Sequence, residues 1–209
     1  MAEPLRLVMA KGKIFEEAKS LMLRAGLNVE SINDGRQMIF EVPEENLRVM
    51  VVRPTDVPVY VEHGAADLGI TGKDILLEEG RDVYELLDLQ LSPCHFGLAA
   101  PIDDENVLEK QFIRIASKFP RVSQRFFADR GQQAEVIKLH GAVEIAPMVG
   151  LADAIVDIVS SGRTLKENNM KEIAFIANIT ARLVANRVSY RTRLEEIIAF
   201  EKRLKAVIS

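Results

Sequence analysis

Short apolar runs recur along this chain, and most are followed within a few residues by a turn and a stretch of helical period. "LRLVMA" (5–10) precedes "KGK", and Ile14, Ala18, Leu21 and Ala25 then line one face of a helix that Gly26 stops. "RQMIFEV" and "LRVMVV" read as two strands around "PEEN". Pro54 and Pro58 mark a helix start that "VYVEHG" continues; "ADLGIT" (66–71) is a further strand and "GKDILLEEG" a turn or two of helix. "HFGLAAP", "FIRIAS", "AEVIKL" and "AIVDIVS" are strands. Between them "PRVSQRFFADRG" is a helix and "AVEIAPMVGLA" a short one strained by Pro147. "EIAFIA" and "ARLVANR" follow as strands. Leu194, Ile197, Ile198, Leu204 and Val207 form the apolar stripe of a last helix, with Thr192 and Glu195 at capping-box spacing. Such alternation with short connections builds α/β layers.

The predicted architecture is two α/β lobes with a central cleft. Lobe I covers residues 1–95 and is completed by a returning segment, 179–209; lobe II covers 96–178, entered through the acidic joint "IDDEN". Clefts between lobes commonly hold ligands. The formal net charge of −4 argues against a nucleic-acid partner. Cys94 is the single cysteine, so no internal disulfide or thiol-rich metal site is expected, and His63, His95 and His140 are too dispersed for a zinc site. His95 lies beside Cys94, but neighbours on a strand face opposite ways, which argues against a nucleophile–base dyad. Phe126 and Phe127 read as core. The start of the chain lacks a signal-peptide pattern, and no run reaches membrane-spanning length, so a cytoplasmic location without membrane contact is expected.

The most informative polar stretch is "DIVSSGRTL", Asp157 to Leu165. A β-branched strand ends in Ser160, Ser161, Gly162, Arg163 and Thr164. Gly162 permits a tight turn that aims N–H groups inward, and the hydroxyls add donors. A helix starting there would present free N–H groups to the same spot, as a phosphate cradle requires. A plain surface turn with Thr164 as N-cap explains the pattern as well. Asp153 and Asp157, four apart, would share a strand face and could accept bonds from sugar hydroxyls. Lys11 follows the first strand, where open α/β sheets bind ligands. Arg53 ends "VMVV" and Arg36 follows "NDG"; each is a fork for phosphate oxygens. "GAADLGITGKD" adds Thr71, Gly72 and Asp74, and "GAVEIAP" adds Glu144 between two apolar neighbours.

"RPTDVPVYVEHGAADLGITGKDILLE", "RIASKFPRVSQRFFADRG", "GAVEIAPMVGLADAIVDIVSSGRTLKENN" and "ARLVANRVSYR" closely resemble the ATP phosphoribosyltransferase family, nearly end to end. The resemblance implies two lobes like those of type II periplasmic binding proteins. It implies the reaction of ATP with 5-phosphoribosyl-1-pyrophosphate, with Mg2+ bridging substrate phosphates, as the first step of histidine biosynthesis. It places the 5-phosphate on Ser160, Ser161, Gly162, Arg163 and Thr164, and puts Asp153, Asp157 and Glu144 near the ribose. Lys11, Arg36 and Arg53 fall at the family's basic groups near pyrophosphate and ATP, and Thr71, Gly72 and Asp74 line the cleft. The chain stops after the helix that follows "SYR", like the family's short form. That form resembles a homodimer working with a regulatory subunit similar to histidyl-tRNA synthetase, in a hetero-octamer. Lys13 stands where the family usually has arginine, and "LQLSPCHFGLAAP" stands where a more basic segment is usual. A non-catalytic two-lobed protein binding an anion or amino acid is the alternative.

Overall fold

The computed structural model describes residues 3–104 and 106–208; Glu105 of the acidic joint lies outside them. The chain runs β1 (Leu5–Ala10), α1 (Lys13–Arg24), β2 (Ile39–Val42), β3 (Leu47–Val52), α2 (Val57–Glu62), β4 (Leu68–Gly72), α3 (Lys73–Glu79) and β5 (Tyr84–Asp88). It continues with β6 (Cys94–Pro101), β7 (Phe112–Ser117), α4 (Pro120–Asp129), β8 (Gln133–Lys138), α5 (Ile145–Met148), β9 (Ala154–Val159), α6 (Arg163–Glu167) and β10 (Met170–Ile179). β11 (Ala181–Ala185), α7 (Arg187–Thr192) and α8 (Leu194–Lys205) complete it. Two compact units result: one reaches Pro93 and resumes at Thr180, the other spans Cys94–Ile179.

The first unit has a six-stranded mixed sheet ordered β2-β3-β1-β4-β11-β5, with β1 parallel to β3 and β4. Alternation along β1 explains its two layers. Leu5, Leu7 and Met9 pack with Phe15, Leu21 and Met22 of α1 and Ile197, Phe200 and Leu204 of α8. Val8 and Ala10 pack on the other face with Val57 and Val61 of α2. A fully buried carboxylate ties the returning segment in place. Asp67 accepts from the Arg6 backbone (2.9 Å) and guanidinium (2.8 Å), the Ser189 hydroxyl (2.7 Å) and Arg193 (3.0 Å). Burial alone pushes its pKa up, but the bonds from Arg6 and Ser189 outweigh that and hold it below the usual carboxylate range.

The second unit carries a five-stranded sheet ordered β10-β6-β9-β7-β8. β9 is parallel to β7 and antiparallel to β6, and β10 runs antiparallel to β6 along the edge. From β7 the chain passes through α4 outward to β8; from β9 it passes through α6 to β10 on the other side. Crossovers thus leave two adjacent parallel strands in opposite directions, which opens a crevice at their carboxyl ends.

Several local expectations are corrected. Tyr84–Asp88, to which the sequence reading assigns no element, is a strand that pairs with β11. The "ARLVANR" strand stops at Ala185, because the Asn186 side chain accepts from the N–H groups of Val188 and Ser189 and starts α7. No capping box forms at Thr192, whose hydroxyl donates back to the Val188 carbonyl (3.1 Å); Arg193 holds the N-cap position of α8 instead. Leu194 is left exposed, and Phe200 takes its place in the α8 stripe. Phe127 is core, but Phe126 is half-buried beneath the Arg130 guanidinium. "AVEIAPMVGLA" keeps only four helical residues, leaving Met148 and Val149 exposed.

Candidate functional site

β9 ends at Val159, and the chain turns through Ser160, Ser161 and Gly162 into α6. Gly162 is the N-cap of α6 with φ 68°, a left-handed conformation that costs other residues roughly 1–3 kcal/mol. It takes the capping position considered for Thr164, which lies inside the first turn. The N–H groups of that turn have no intrahelical acceptors. Ser160, Ser161, Arg163 and Thr164 are all exposed; the Arg163 N–H donates to the Ser161 hydroxyl (3.4 Å), and its guanidinium lies 3.7 Å from Glu167.

This loop is one wall of a concave pocket of ≈ 320 Å³. Gly97, Ile155, Asp157 and Val159 form its floor, Lys118 and Phe119 a second wall, and Glu144 a third. Strand alternation puts Ile155, Asp157 and Val159 on one face of β9, and register sets Gly97 directly opposite Asp157. A side chain at Gly97 would meet the Glu172 carboxylate at 2.9 Å and Val159 at 3.0 Å, so the floor stays open only with glycine there. The Ser117 hydroxyl fixes the second wall. It donates to the Val156 carbonyl (2.6 Å) and accepts from the Phe119 N–H (2.9 Å), turning the chain from β7 toward α4. Lys118 then reaches Asp157 at 3.3 Å. The pocket therefore offers hydroxyls, helix-start N–H groups and an ammonium for an anion, with carboxylates at its floor and side. That set suits a phosphorylated sugar.

Asp153 does not join it. It precedes β9, at the opposite end of the strand from Ser160, and accepts from the Arg114 N–H (2.8 Å) and Lys110 (3.2 Å). Burial pushes its pKa up, but those bonds outweigh it and leave it lowered. Lys118, Phe119 and Gly97 were not singled out from the sequence, yet Lys118 follows a strand just as Lys11 does.

The remaining candidates lie in the first unit. Lys11 donates to the Gly35 carbonyl (3.4 Å) and approaches Asp34 at 4.0 Å, while Asp34 accepts from the Gly12 N–H (2.7 Å). Arg36 and Arg53 are exposed, and neither guanidinium pairs with a carboxylate among the described residues. Thr71 is buried at the end of β4, its hydroxyl 3.4 Å from the Pro54 carbonyl, and Gly72 is the N-cap of α3. Asp74 has its pKa raised by burial, against the opposing bonds from the Ile75 N–H and its own. No group of three or more His, Cys, Asp or Glu side chains suited to a metal occurs among the described residues, and no helix of these is long and apolar enough to cross a membrane.

Comparison with known proteins agrees with this chemistry. The family model for ATP phosphoribosyltransferase matches residues 53–206. The chain is 49% identical over 207 residues to an ATP phosphoribosyltransferase of Lysinibacillus sphaericus, covering 98% of this chain and 95% of the relative. It is 49% identical over 210 residues to the one from Bacillus subtilis, covering 100% and 97%. Among solved structures it resembles the ATP phosphoribosyl transferase (HisG:HisZ) complex from Thermotoga maritima, with TM-score 0.83, 36% identity and 98% of each chain covered. The alkanesulfonate-binding protein SsuA from Xanthomonas axonopodis pv. citri, bound to MOPS, matches with TM-score 0.58 at 16% identity, over 99% of this chain and 74% of that one. The second likeness is one of fold alone and assigns the periplasmic-binding-protein type. The first set carries sequence as well as shape across nearly the full length, so the chain belongs to the ATP phosphoribosyltransferase family.

Proposed function

We propose that this chain transfers the 5-phosphoribosyl group of 5-phosphoribosyl-1-pyrophosphate to N1 of ATP, giving N1-(5-phosphoribosyl)-ATP and pyrophosphate, the first step of histidine biosynthesis. The observation that carries the site assignment is the pocket at the carboxyl ends of β7 and β9, walled by Ser160–Leu165 and Lys118. In this reading the 5-phosphate rests on Ser160, Ser161, Gly162, Arg163 and Thr164, where hydroxyls and helix-start N–H groups converge. Asp157 and Glu144 face the ribose hydroxyls. As N1 attacks C1, the bond to pyrophosphate breaks and the sugar gains positive character, which the Asp157 carboxylate stabilises. The polyphosphate of ATP and the leaving pyrophosphate are assigned to cations of the first unit, Lys11, Arg36 and Arg53. Thr71, Gly72 and Asp74 belong to the same assignment. Holding both substrates in order is the larger part of the catalysis.

A magnesium ion carried on the substrate phosphates needs few protein ligands. The pocket's donor set fits it, since Asp157 and Glu144 offer carboxylate oxygens there. When bound, the ion supplies charge neutralisation to the pyrophosphate. Because the Thermotoga maritima relative is a two-component complex, we infer that this chain also works with a regulatory second subunit, resembling histidyl-tRNA synthetase, and as a homodimer within a hetero-octamer. A cytoplasmic location fits substrates of central metabolism.

The test mixes the purified chain with ATP, 5-phosphoribosyl-1-pyrophosphate and magnesium, with pyrophosphatase to draw the reaction forward. Ultraviolet absorbance of the ribosylated adenine is followed. The expected rise needs all three components. Silence with the regulatory subunit added, and with ligand binding intact, favours the non-catalytic binding protein.

A further inference from the structure

Transfer to N1 leaves the adenine cationic, and the N6 amino group must then lose a proton. We propose that His95, held by Glu172, accepts it; this rests on the phosphoribosyltransferase reading above. The pair lies on the same sheet face as the pocket floor. His95, Gly97 and Ala99 alternate onto one face of β6, and Gly97 and Ala99 line the pocket. The Glu172 carboxylate of β10 stands 2.9 Å from the position a Gly97 side chain would take, and its Oε1 is 2.8 Å from His95 Nε2. His95 is in register with Val159, the last strand residue before the Ser160 turn.

The geometry matches an oriented base. An ionised carboxylate only accepts, so in the neutral imidazole the hydrogen of the Glu172 contact sits on Nε2 and the lone pair on Nδ1. Nδ1 has no protein partner among the described residues. Phe175 stacks on the imidazole at 5.5 Å between centroids and 29° between planes, fixing the ring while leaving its own outer side exposed. Glu172 thus sets the tautomer and stabilises the imidazolium once it forms. In the step, the N1–C1 bond forms as the C1–O bond breaks, and that electron pair leaves with pyrophosphate. The N6 proton passes to His95 Nδ1, and the N6–H pair becomes the C=N bond of the imino product. His95 then returns the proton to water.

Single-turnover rates are measured for wild type, His95→Ala and Glu172→Gln in the assembly in which the wild-type chain turns over. Wild-type turnover tests the phosphoribosyltransferase reading by itself, and the variants test the pair. His95→Ala should slow the step by at least about a hundredfold with unchanged affinity for 5-phosphoribosyl-1-pyrophosphate. Added imidazoles should restore it, stronger bases more. Glu172→Gln should fall between His95→Ala and wild type. A His95→Ala rate within about twofold of wild type overturns the proposal. So does a loss that no imidazole restores, or one with weakened substrate affinity, because the pair then only secures β10 to β6.

Discussion

Asp153, just before β9, and Asp157, in its carboxyl-terminal half, look equivalent in sequence. Their surroundings are not. Asp153 meets the Arg114 backbone and side chain and the Lys110 ammonium, and its carboxylate is held ionised. Asp157 meets one ammonium, Lys118, and its own strand's Ile158 N–H (2.9 Å), and it floors the pocket. The difference comes from topology. Crossovers leave β7 and β9 in opposite directions at their carboxyl ends, so that end opens, while Asp153 lies at the other end, bonded to Lys110 and Arg114. A carboxylate whose partners are all internal serves the fold. One left facing a concave space beside free donors is available to a ligand.

The largest expected effect breaks the open end. Asp157→Asn should lower kcat/KM by at least about a hundredfold, ~2.7 kcal/mol of transition-state stabilisation, with little change in Tm. Comparable kinetics for the variant and wild type would remove Asp157 from the site. At the other end, Asp153→Ala should leave kcat/KM nearly unchanged but cost about 1–3 kcal/mol of stability, because Lys110 and the Arg114 N–H lose their acceptor. The pH dependence sharpens this. The folded pKa of Asp153 lies below its ordinary 3.8, so its contribution is present above that value and fades as pH falls through the folded pKa. Wild type and Asp153→Ala should therefore converge in Tm under strongly acidic conditions. The smallest effect concerns the first unit: Arg53→Ala should lower kcat/KM by about tenfold, ~1.4 kcal/mol, with Tm unmoved, since the guanidinium is exposed.

Much of the strand and helix order was readable because the apolar runs are short, β-branched and punctuated by Gly and Pro. β5 escaped because "YELLD" gains its place from pairing with β11 rather than from its own pattern. Asn186 was legible as a cap residue type, but the strand-like "ARLVANR" masked it. The Ser160–Thr164 turn stood out because a glycine among hydroxyls ends an apolar strand. Lys118 and Gly97 did not, because their importance depends on which strands lie beside β9, and no local pattern encodes neighbour order. The same limit made Asp153 and Asp157 look alike: a four-residue offset predicts a shared face, not which end of the strand is open.

The most direct test titrates 5-phosphoribosyl-1-pyrophosphate, with magnesium, into wild type, Gly162→Ala and Asp153→Asn by calorimetry. The pocket has room for the added methyl, so Gly162→Ala acts through its left-handed backbone and disturbs the cradle itself. Affinity should weaken at least about tenfold, ~1.4 kcal/mol, in Gly162→Ala and stay within about twofold of wild type in Asp153→Asn if the Ser160–Thr164 turn cradles the phosphate. Wild-type affinity in Gly162→Ala, or a loss confined to Asp153→Asn, would contradict it.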